Sequence, residues 1–469
     1  MFAIILTLFS ISSFATFQPM WKGYQASNLN KSIVLQKEIS QANFKFQENM
    51  NDWKFILSPN YREANLASLF AFQAQNTRTN TYALEFTKSS FEYGNVTIRH
   101  TKTDYDISDW NSTALSSFTN DHLFENRTGI EYSYDFLDRS SSDDLNIIIA
   151  EARANESSNQ LDIEKGYLSF FQTYLQAKYQ VYAVELSKSF VEEAKKRVNR
   201  TNKRKKDGLS RNVELLQSRS SLLNQEEAVE TSRSALKENL SIIENILKIK
   251  VTENHFKNIT WNPKPFTFWK KTITEQEHLS VIAAKRRVEV SKQNLSKLQN
   301  QNGMKLLFSA GLTTNAISEN DTDSFNEHLD TVNKNVGFGL NLVIPLGLDK
   351  RSALNSRVIL ENKKNELNIL NLEDEIIVQK DALISQIRYY EKINTISSKK
   401  VSIAKKTLKE QNRYYLNAQT TFEEVIRAEE SYINTKLSEK RNLLNYELLV
   451  ANYAYLNNSI ESFLNAYRD

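Results

Sequence analysis

Several segments of the chain alternate apolar and polar residues with a period of two. The clearest is 336–344, where Val336, Phe338 and Leu340 share one side of an extended chain. The same alternation recurs at 82–86, 130–136 and 306–312. Because neighbouring side chains of a strand point to opposite faces, the pattern predicts strands with one apolar and one polar face. Residues 53–104 hold further runs whose connectivity the pattern does not decide. Polar loops are predicted at 105–126 and 316–331.

Most of the remaining chain follows a helical period. Leu168, Phe171 and Leu175 illustrate apolar residues at intervals of three, four or seven, which form one stripe along a helix. Helices are predicted near 22–51, 139–206, 210–250, 274–302, 350–417 and 421–463. The segment 251–273, with two prolines and two tryptophans, interrupts this pattern in the middle of the chain.

Glycine and proline are scarce, which changes the meaning of the chain's length. A length of 469 residues would ordinarily suggest several globular domains, yet the chain contains 10 Gly and 5 Pro, far below the usual shares of ~7% and ~5%. Long stretches without either residue favour long helices over domains with many turns. The absence of cysteine excludes disulfides, thiolate metal sites and cysteine nucleophiles.

The first fifteen residues have the features of an export signal. An apolar run at 2–9 is followed by polar serines and by Ser13-Phe14-Ala15, a small-x-small site after which cleavage is expected. A bilayer-spanning helix needs ~20 apolar residues, more than this segment offers. We therefore predict a signal peptide at 1–15 and an exported protein without a transmembrane helix.

The chain also repeats itself at an offset of about 210 residues, as where Val191 and Ala194 recur as Val401 and Ala404. We predict a first repeat at 16–250, in which a helix is followed by strands at about 53–137 and a helical hairpin at about 139–250. An equatorial segment, 251–273, precedes a second repeat at 274–469, with strands at about 303–345 and a hairpin at about 350–463. The first helix of each hairpin has about 70 residues, or ~100 Å, several times the thickness of a bilayer.

Two structures are compatible with the alternating segments. Apolar-out and polar-in alternation with aromatic residues on the apolar face is typical of a membrane β-barrel. Alternation alone favours a half-buried sheet packed on the helices, whereas the export signal and the helix lengths favour the barrel. The predicted fold class is mostly α with a β-barrel part, in which a long α-helical hairpin barrel adjoins the strands of a transmembrane β-barrel.

Three segments give the chain a resemblance to the TolC-like outer-membrane efflux proteins, also called outer membrane factors. One is the strand-to-helix junction 339–346 (GLNLVIPL), and the others are the helix–helix turns 208–216 (GLSRNVELL) and 418–428 (AQTTFEEVIRA). Each motif alone is a weak signal. In this order and at this spacing they are specific, and the resemblance covers nearly the whole chain after the signal peptide.

The resemblance implies a homotrimer in which each subunit gives four strands to one twelve-stranded barrel in the outer membrane of a Gram-negative bacterium. An α-helical tunnel would cross the periplasm and dock with a periplasmic adaptor protein and an inner-membrane pump of the RND or ABC type. The implied function is a passive exit duct of a tripartite efflux or type I secretion system. Independently, four strands cannot close a barrel, and lipid does not tolerate open sheet edges.

The sequence contains no catalytic constellation. Its five histidines are scattered, and it has no phosphate-binding loop, nucleophile elbow or HExxH motif. We predict a protein that is not an enzyme and has no cofactor or metal site.

By the resemblance, the two helix–helix turns contact the adaptor. The residues in that role are Gly208, Leu209, Ser210, Ala418, Gln419 and Thr420. Judged from the residues themselves, Gly208 suits a helix end, and Ser210 or Thr420 suits the N-cap of the next helix. Shaping the turn is therefore an alternative role for the same residues. Ala418 stands where the family usually has glycine.

Two groups of cations lie near these turns. A basic collar for an acidic adaptor tip is predicted from Arg200, Lys203, Arg204, Lys205 and Lys206. The alternative is a solvated face whose charges suit a helix C-terminus. Lys406 and Lys409 occupy positions where family members with an acidic constriction carry aspartates. If they face the lumen, threefold symmetry makes rings of positive charge that favour anions, and otherwise they face the solvent outside.

Other classes of protein fit the sequence less well. An exported coiled-coil structural or adhesive protein with a small soluble sheet is the main alternative. Nucleic-acid binding is not expected, because the net charge is only +4 and the signal peptide implies export. A soluble helical enzyme would lack a site.

Overall fold

A computed structural model describes the chain in segments separated by gaps: 17–48, 52–65, 76–90, 93–108, 122–137, 140–208, 210–256, 261–301, 303–329, 334–344, 346, 348–417 and 419–468. The predicted signal peptide lies outside these residues.

Long helices dominate the described residues. The helices are α1 (Phe17–Gln25), α2 (Asn28–Glu48), α3 (Ser140–Lys206), α4 (Asn212–Leu247), α5 (Phe266–Thr272), α6 (Leu279–Gln301), α7 (Asp321–Leu329), α8 (Leu348–Leu416), α9 (Phe422–Leu456) and α10 (Ile460–Ala466). The strands are β1 (Lys54–Asn65), β2 (Asn76–Ser90), β3 (Gly94–Ser108), β4 (His122–Asp135), β5 (Lys305–Ser318) and β6 (Lys334–Val343).

The predicted long helices are confirmed. Helices α3 and α8 have 67 and 69 residues, and α4 and α9, which follow them, have 36 and 35. Two predicted helices are each broken into two. The helix expected at 22–51 is interrupted at Ala26 and Ser27, and the one expected at 421–463 is interrupted after Leu456, where Asn458 adopts a left-handed φ of 51°.

The strands form one antiparallel sheet in the order of the sequence, β1-β2-β3-β4-β5-β6. The expectation of four strands per subunit is therefore wrong, because the described chain has six. The additional pair is β1 and β2, which arises from the region whose connectivity the sequence pattern did not decide. Pro59 lies in β1 at the edge of the sheet, the position where a strand tolerates a residue without an N–H.

A second correction concerns the segment between β5 and β6, which was expected to be a polar loop. Strand β5 continues to Ser318, and the helix α7 follows. This helix packs on β4 and β5. Ser324 in α7 is buried, where its hydroxyl donates to the carbonyl of Ala316 at 3.0 Å and accepts from Asn126 Nδ2 at 3.1 Å. The sequence did not indicate a helix with one buried side here, because the segment is mostly polar.

The described residues divide into two compact units. The helical unit is drawn from 1–39, 155–285 and 368–469, and the sheet unit is drawn from 40–154 and 286–367. In the helical unit, Trp21, Phe171, Tyr174 and Phe463 are fully buried in an aromatic core. Trp21 Nε1 donates to Asn465 Oδ1 at 2.8 Å, so α1 and α10 are joined within this core.

The segment 251–273 completes the same core. It contains a 3-10 turn, Glu253–Phe256, and the helix α5, which bury Phe256, Phe266 and Trp269. The backbone N–H of Phe266 donates to Glu391 Oε1 of α8 at 2.7 Å. The prolines that interrupt the helical pattern thus allow the chain to bring large aromatic side chains against α8, α9 and α10.

Candidate functional site

One face of the sheet is apolar and exposed. A single row of paired residues crosses all six strands, and every member is exposed: Phe55, Phe86, Ile98, Ile130, Leu312 and Val336. Residues two positions along on the same face continue the surface, including Leu57, Phe338, which is 77% exposed, and Leu340. A continuous apolar surface of this kind indicates contact with lipid or with another protein.

The opposite face of the sheet is polar. Arg99, Arg127, Glu125 and Glu131 occur there together with several threonines, and they line an open cavity of about 330 Å³. Arg99 Nε lies 4.0 Å from Glu85 Oε2 on the neighbouring strand. The sheet therefore separates an apolar side from a charged and polar side, as the alternating pattern predicted.

Helix α7 marks one border of the apolar surface. Beyond Ile130, the same face of β4 becomes polar at Thr128 and Asn126. There α7 covers the strand, and His328 Nε2 lies 3.0 Å from Thr128 Oγ1. Lys102 Nζ of β3 forms an ion pair of 2.6 Å with Asp321 Oδ2 of α7. On β3 and β4 the apolar surface thus ends at polar contacts with α7.

The two helix–helix turns lie within the helical unit. Gly208 ends α3 with a left-handed φ of 70°, and its N–H donates to the carbonyl of Lys205 at 3.1 Å. The N-cap expectation for Ser210 and Thr420 is wrong by one residue, because Arg211 and Thr421 occupy those positions. The N-cap side chain of Thr421 accepts from the N–H of Glu424 at 3.3 Å, whereas Arg211 makes no side-chain cap.

Ser210 and Thr420 instead bind a carboxylate four residues later. Ser210 Oγ donates to Glu214 Oε2 at 2.7 Å, and Thr420 Oγ1 donates to the carboxylate of Glu424. The backbone N–H of Gln419 donates to the carbonyl of Tyr414 at 2.8 Å. Leu209 and Ala418 lie outside the described residues. The repeat in the sequence, which aligns Glu214 with Glu424, was the signal that could have identified these paired contacts.

The first turn contacts the end of α8, which leads into the second. Tyr415 Oη donates to Glu214 Oε2 at 3.0 Å, and the guanidinium of Arg204 lies 4.8 Å from the centre of the Tyr415 ring. The ring of Phe422, at the start of α9, is 5.4 Å from that of Tyr415. Burial, together with the hydrogen bond to Glu214, raises the pKa of Tyr415, so the phenol remains a donor.

A buried ion pair lies next to this contact. Arg197 of α3 is 8% exposed and pairs with Glu429 of α9, which is 4% exposed. Arg197 Nη2 also donates to Ser221 Oγ of α4 at 3.3 Å. Burial, and then repulsion from Arg200, lowers the pKa of Arg197 to about 10, so the guanidinium remains charged at neutral pH. Sequence reasoning missed this pair, whose members are 232 residues apart.

Three residues of the predicted basic collar line a cavity at the same place. The cavity, about 320 Å³, is lined by Arg200, Lys203 and Arg204 and also by the aromatic residues Tyr415 and Phe422. No carboxylate among the described residues lies within ion-pair distance of these three cations. Lys205 Nζ donates to Asn212 Oδ1 at 2.8 Å, and Lys206 is exposed. The collar therefore combines unneutralised positive charge with an aromatic wall.

Lys406 and Lys409 are both exposed on α8. The face of α8 that contacts α9 is marked by Ser397, whose Oγ accepts from Asn442 Nδ2 at 2.9 Å. At about 100° per residue, Lys406 and Lys409 lie roughly 180° and 120° away from Ser397 around the helix axis. Both lysines line, together with Tyr432 of α9, an open cavity of about 400 Å³, so they lie on a flank of the contact between α8 and α9 rather than at its centre.

Within the described residues, no group of three or more His, Asp or Glu side chains is arranged to hold a metal ion. Among the same residues, no helix is long and apolar enough to cross a membrane.

No protein-family model matches the chain, and no curated protein sequence matches it either. Solved structures do match. The outer membrane protein VceC from Vibrio cholerae matches with a TM-score of 0.66 and 12% identity, over 94% of this chain and 96% of that chain. The Campylobacter jejuni CmeC outer membrane channel gives 0.68 and 11% over 95% and 87%. The Neisseria gonorrhoeae MtrE outer membrane channel gives 0.62 and 11% over 95% and 89%.

The fold is therefore that of the TolC-like outer-membrane channels. The resemblance drawn from the strand-to-helix junction and the two turns is confirmed at the level of fold over nearly the whole chain.

Proposed function

We propose that this protein is a passive exit duct in the outer membrane of a Gram-negative bacterium. The observation that carries the proposal is the sheet with an exposed apolar face and a charged opposite face, in a chain with the fold of outer-membrane channels. Large apolar side chains are exposed on every strand and suit lipid, and the arginine and glutamate side chains opposite suit a water-filled lumen. The proteins that share this fold are channels, which supports a role without catalysis.

The proposed assembly is a homotrimer. Helix α8 supports it, because Tyr389, Ile396 and Ile403 are exposed and recur every seven residues, the interval of coiled-coil packing. A second copy of the chain is the partner that would cover this stripe. The trimer would act in a tripartite efflux or type I secretion system, with a periplasmic adaptor and an inner-membrane pump of the RND or ABC type supplying the energy.

The adaptor would dock at the two turns and their collar. The cavity lined by Arg200, Lys203, Arg204, Tyr415 and Phe422 offers positive charge beside aromatic rings, which suits an acidic segment of the adaptor. Charge reversal of Arg200 and Lys203 to Glu should abolish co-purification of the periplasmic adaptor, identified by mass spectrometry, after mild cross-linking in cells. The matched control is Lys37→Glu on α2, far along the chain from the turns. Equal recovery of the adaptor with both variants would contradict this docking site.

Planar-bilayer conductance of the purified, detergent-extracted protein tests the duct itself. Long-lived openings of low conductance are expected, with ion selectivity read from the reversal potential. If Lys406 and Lys409 line the narrowest point, a preference for anions should be lost in the Lys406→Asp and Lys409→Asp variants. Preference for cations in the unaltered protein would contradict a basic ring and leave the duct intact. A soluble, elongated particle without channel activity would favour the structural coiled-coil alternative.

A further inference from the structure

The six-stranded sheet has two open edges. Among the described residues, strand β1 pairs only with β2 and β6 pairs only with β5, so each leaves one row of backbone N–H and C=O groups without a strand partner there. The exposed apolar surface continues to both edges, where Phe55 of β1 and Phe338 of β6 belong to it. In lipid an open strand edge is not tolerated, because its polar groups have no water to bind. Resting on the proposed function, both edges therefore need a strand partner.

A second copy of the chain supplies that partner with the correct direction. The strands alternate in direction across the sheet, so with an even number of strands β1 and β6 run in opposite directions. When copies are related by rotation about a barrel axis, β6 of one copy then meets β1 of the next in antiparallel orientation. Each copy offers both halves of the same contact, and a ring of copies leaves no edge open.

We propose that β6 of each copy pairs with β1 of its neighbour, so that three copies close one barrel of eighteen strands. This barrel is wider than the twelve-stranded one that the sequence resemblance implied, since the diameter of a barrel grows with strand number. The additional width comes from the hairpin of β1 and β2, whose outward side carries Leu57 and Phe86 like the rest of the apolar surface.

The structure also selects the register of the contact. The row of paired residues that starts at Phe55 of β1 ends at Val336 of β6. In the neighbouring copy, Val336 must pair with a residue of β1 that lies an even number of positions from Phe55. Only then do the side chains of both copies keep to the same face of the sheet. A displacement of six residues per copy gives a strand tilt of roughly 35°, within the observed range of ~35–45°. A displacement of four gives about 25°, outside that range.

The six-residue displacement places apolar residues opposite apolar residues and one acidic residue opposite a basic residue. Phe55 lies opposite Leu342, Leu57 opposite Leu340 and Tyr61 opposite Val336. Glu63 lies opposite Lys334, and among the described residues Lys334 has no carboxylate within ion-pair distance. The same register aligns Lys54 with Val343, the strand ends nearest α2 and α8. A displacement of eight, with a tilt of about 43°, would place Glu63 against Val336. Pro59 removes one donor from β1, so the ladder loses at most one bond there.

Cysteine cross-linking tests the pairing directly, because the chain contains no cysteine of its own. In the Leu57→Cys/Leu340→Cys variant the two thiols of one copy lie on strands at opposite edges of the sheet, so a disulfide joins different copies. Oxidation of outer-membrane fractions should give covalent dimers and trimers on denaturing, non-reducing gels, with no larger species. The single Leu57→Cys and Leu340→Cys variants should remain monomeric on the same gels.

A matched variant tests the twelve-stranded alternative. If β1 and β2 leave the sheet during assembly, β3 becomes the edge and Ile98→Cys/Leu340→Cys should cross-link instead. Cross-linking of that variant, or of Leu57→Cys with Leu342→Cys in place of Leu340→Cys, would overturn the proposed pairing. So would a ladder that stops at the dimer, or no cross-link in a variant that still conducts ions in bilayers. If the unaltered protein shows no channel activity, the proposed function is refuted instead. Failure of the strand pairing can thus be distinguished from failure of the proposed function.

Discussion

Removing one partner of the Arg197–Glu429 ion pair should open the region around the two turns. In a Glu429→Gln variant, the guanidinium of Arg197 stays buried but loses its charged partner, and its acceptors are the neutral amide oxygen and the hydroxyl of Ser221 at 3.3 Å. Breaking a buried ion pair in this way typically costs ~3–5 kcal/mol, because one charge is left without compensation. At about 1.4 kcal/mol per factor of ten, local opening should become at least roughly a hundredfold more frequent.

Hydrogen–deuterium exchange followed by mass spectrometry measures this opening in the assembled protein. Peptides from the ends of α3 and α9 nearest the turns should exchange faster in Glu429→Gln, whereas peptides from the aromatic core of the helical unit should not change. Glu192→Gln is the control, because Glu192 forms an exposed ion pair with Lys195, and such pairs contribute at most about 1 kcal/mol.

A double variant separates the ion pair from simple packing. Replacing both Arg197 and Glu429 by Met removes both charges together, and the exchange rates should return most of the way to those of the unaltered protein. If the double variant exchanges as fast as Glu429→Gln, an unpaired buried charge is not the cause. Unchanged exchange in Glu429→Gln would refute the reasoning altogether.

Further predictions concern pH and the exposed apolar face of the sheet. Burial, and then repulsion from Glu461, raises the pKa of Glu164 to about 7. The helical unit should therefore lose up to ~3 kcal/mol of stability as pH rises from 4.5 to 7. In melting curves followed by tryptophan fluorescence, Glu164→Gln should remove this dependence of stability on pH. Burial, and then repulsion from Lys380, lowers the pKa of His278 to about 4. The stability that the neutral imidazole contributes to the folded state should be lost as pH falls from 6.5 to 4. His278→Gln should reduce this loss of stability at acid pH in the same measurement. Phe338→Arg should cost ~2–4 kcal/mol in lipid and reduce the assembled protein in outer-membrane fractions, whereas Asn341→Arg on the opposite face should not.

The sequence predicted elements whose period is unbroken and missed those whose signals are local and polar. Segment 336–344 alternates with Val343 as its one exception, and all of it except Ile344 lies in β6. Helices α3 and α8 are found nearly to the residue, because no proline interrupts either helix. In contrast, β1 mixes Pro59 with polar residues such as Asn60, and its pairing with β2 depends on partners that the period does not specify.

The site could be predicted only where its features depend on residues close together in the sequence. Gly208 at a helix end follows from its lack of a Cβ, which permits a positive φ. The contact of Tyr415 with Glu214 joins residues 201 positions apart, and it depends on which sides of two long helices meet. An apolar stripe identifies the buried side of a helix but not the residues of another helix that each position contacts. The pairing of Arg197 with Glu429 could therefore not be deduced.

The joining of α1 to α10 has a consequence for the order in which the molecule folds. Gln18 Nε2 donates to the carbonyl of Leu464 at 2.8 Å across a sequence separation of 446 residues. The aromatic core therefore cannot close while the chain is still being synthesised, since α10 emerges long after α1. Contacts of such high sequence separation form slowly. Until then, the aromatic side chains of α1 are exposed in the unfolded chain, where they favour aggregation.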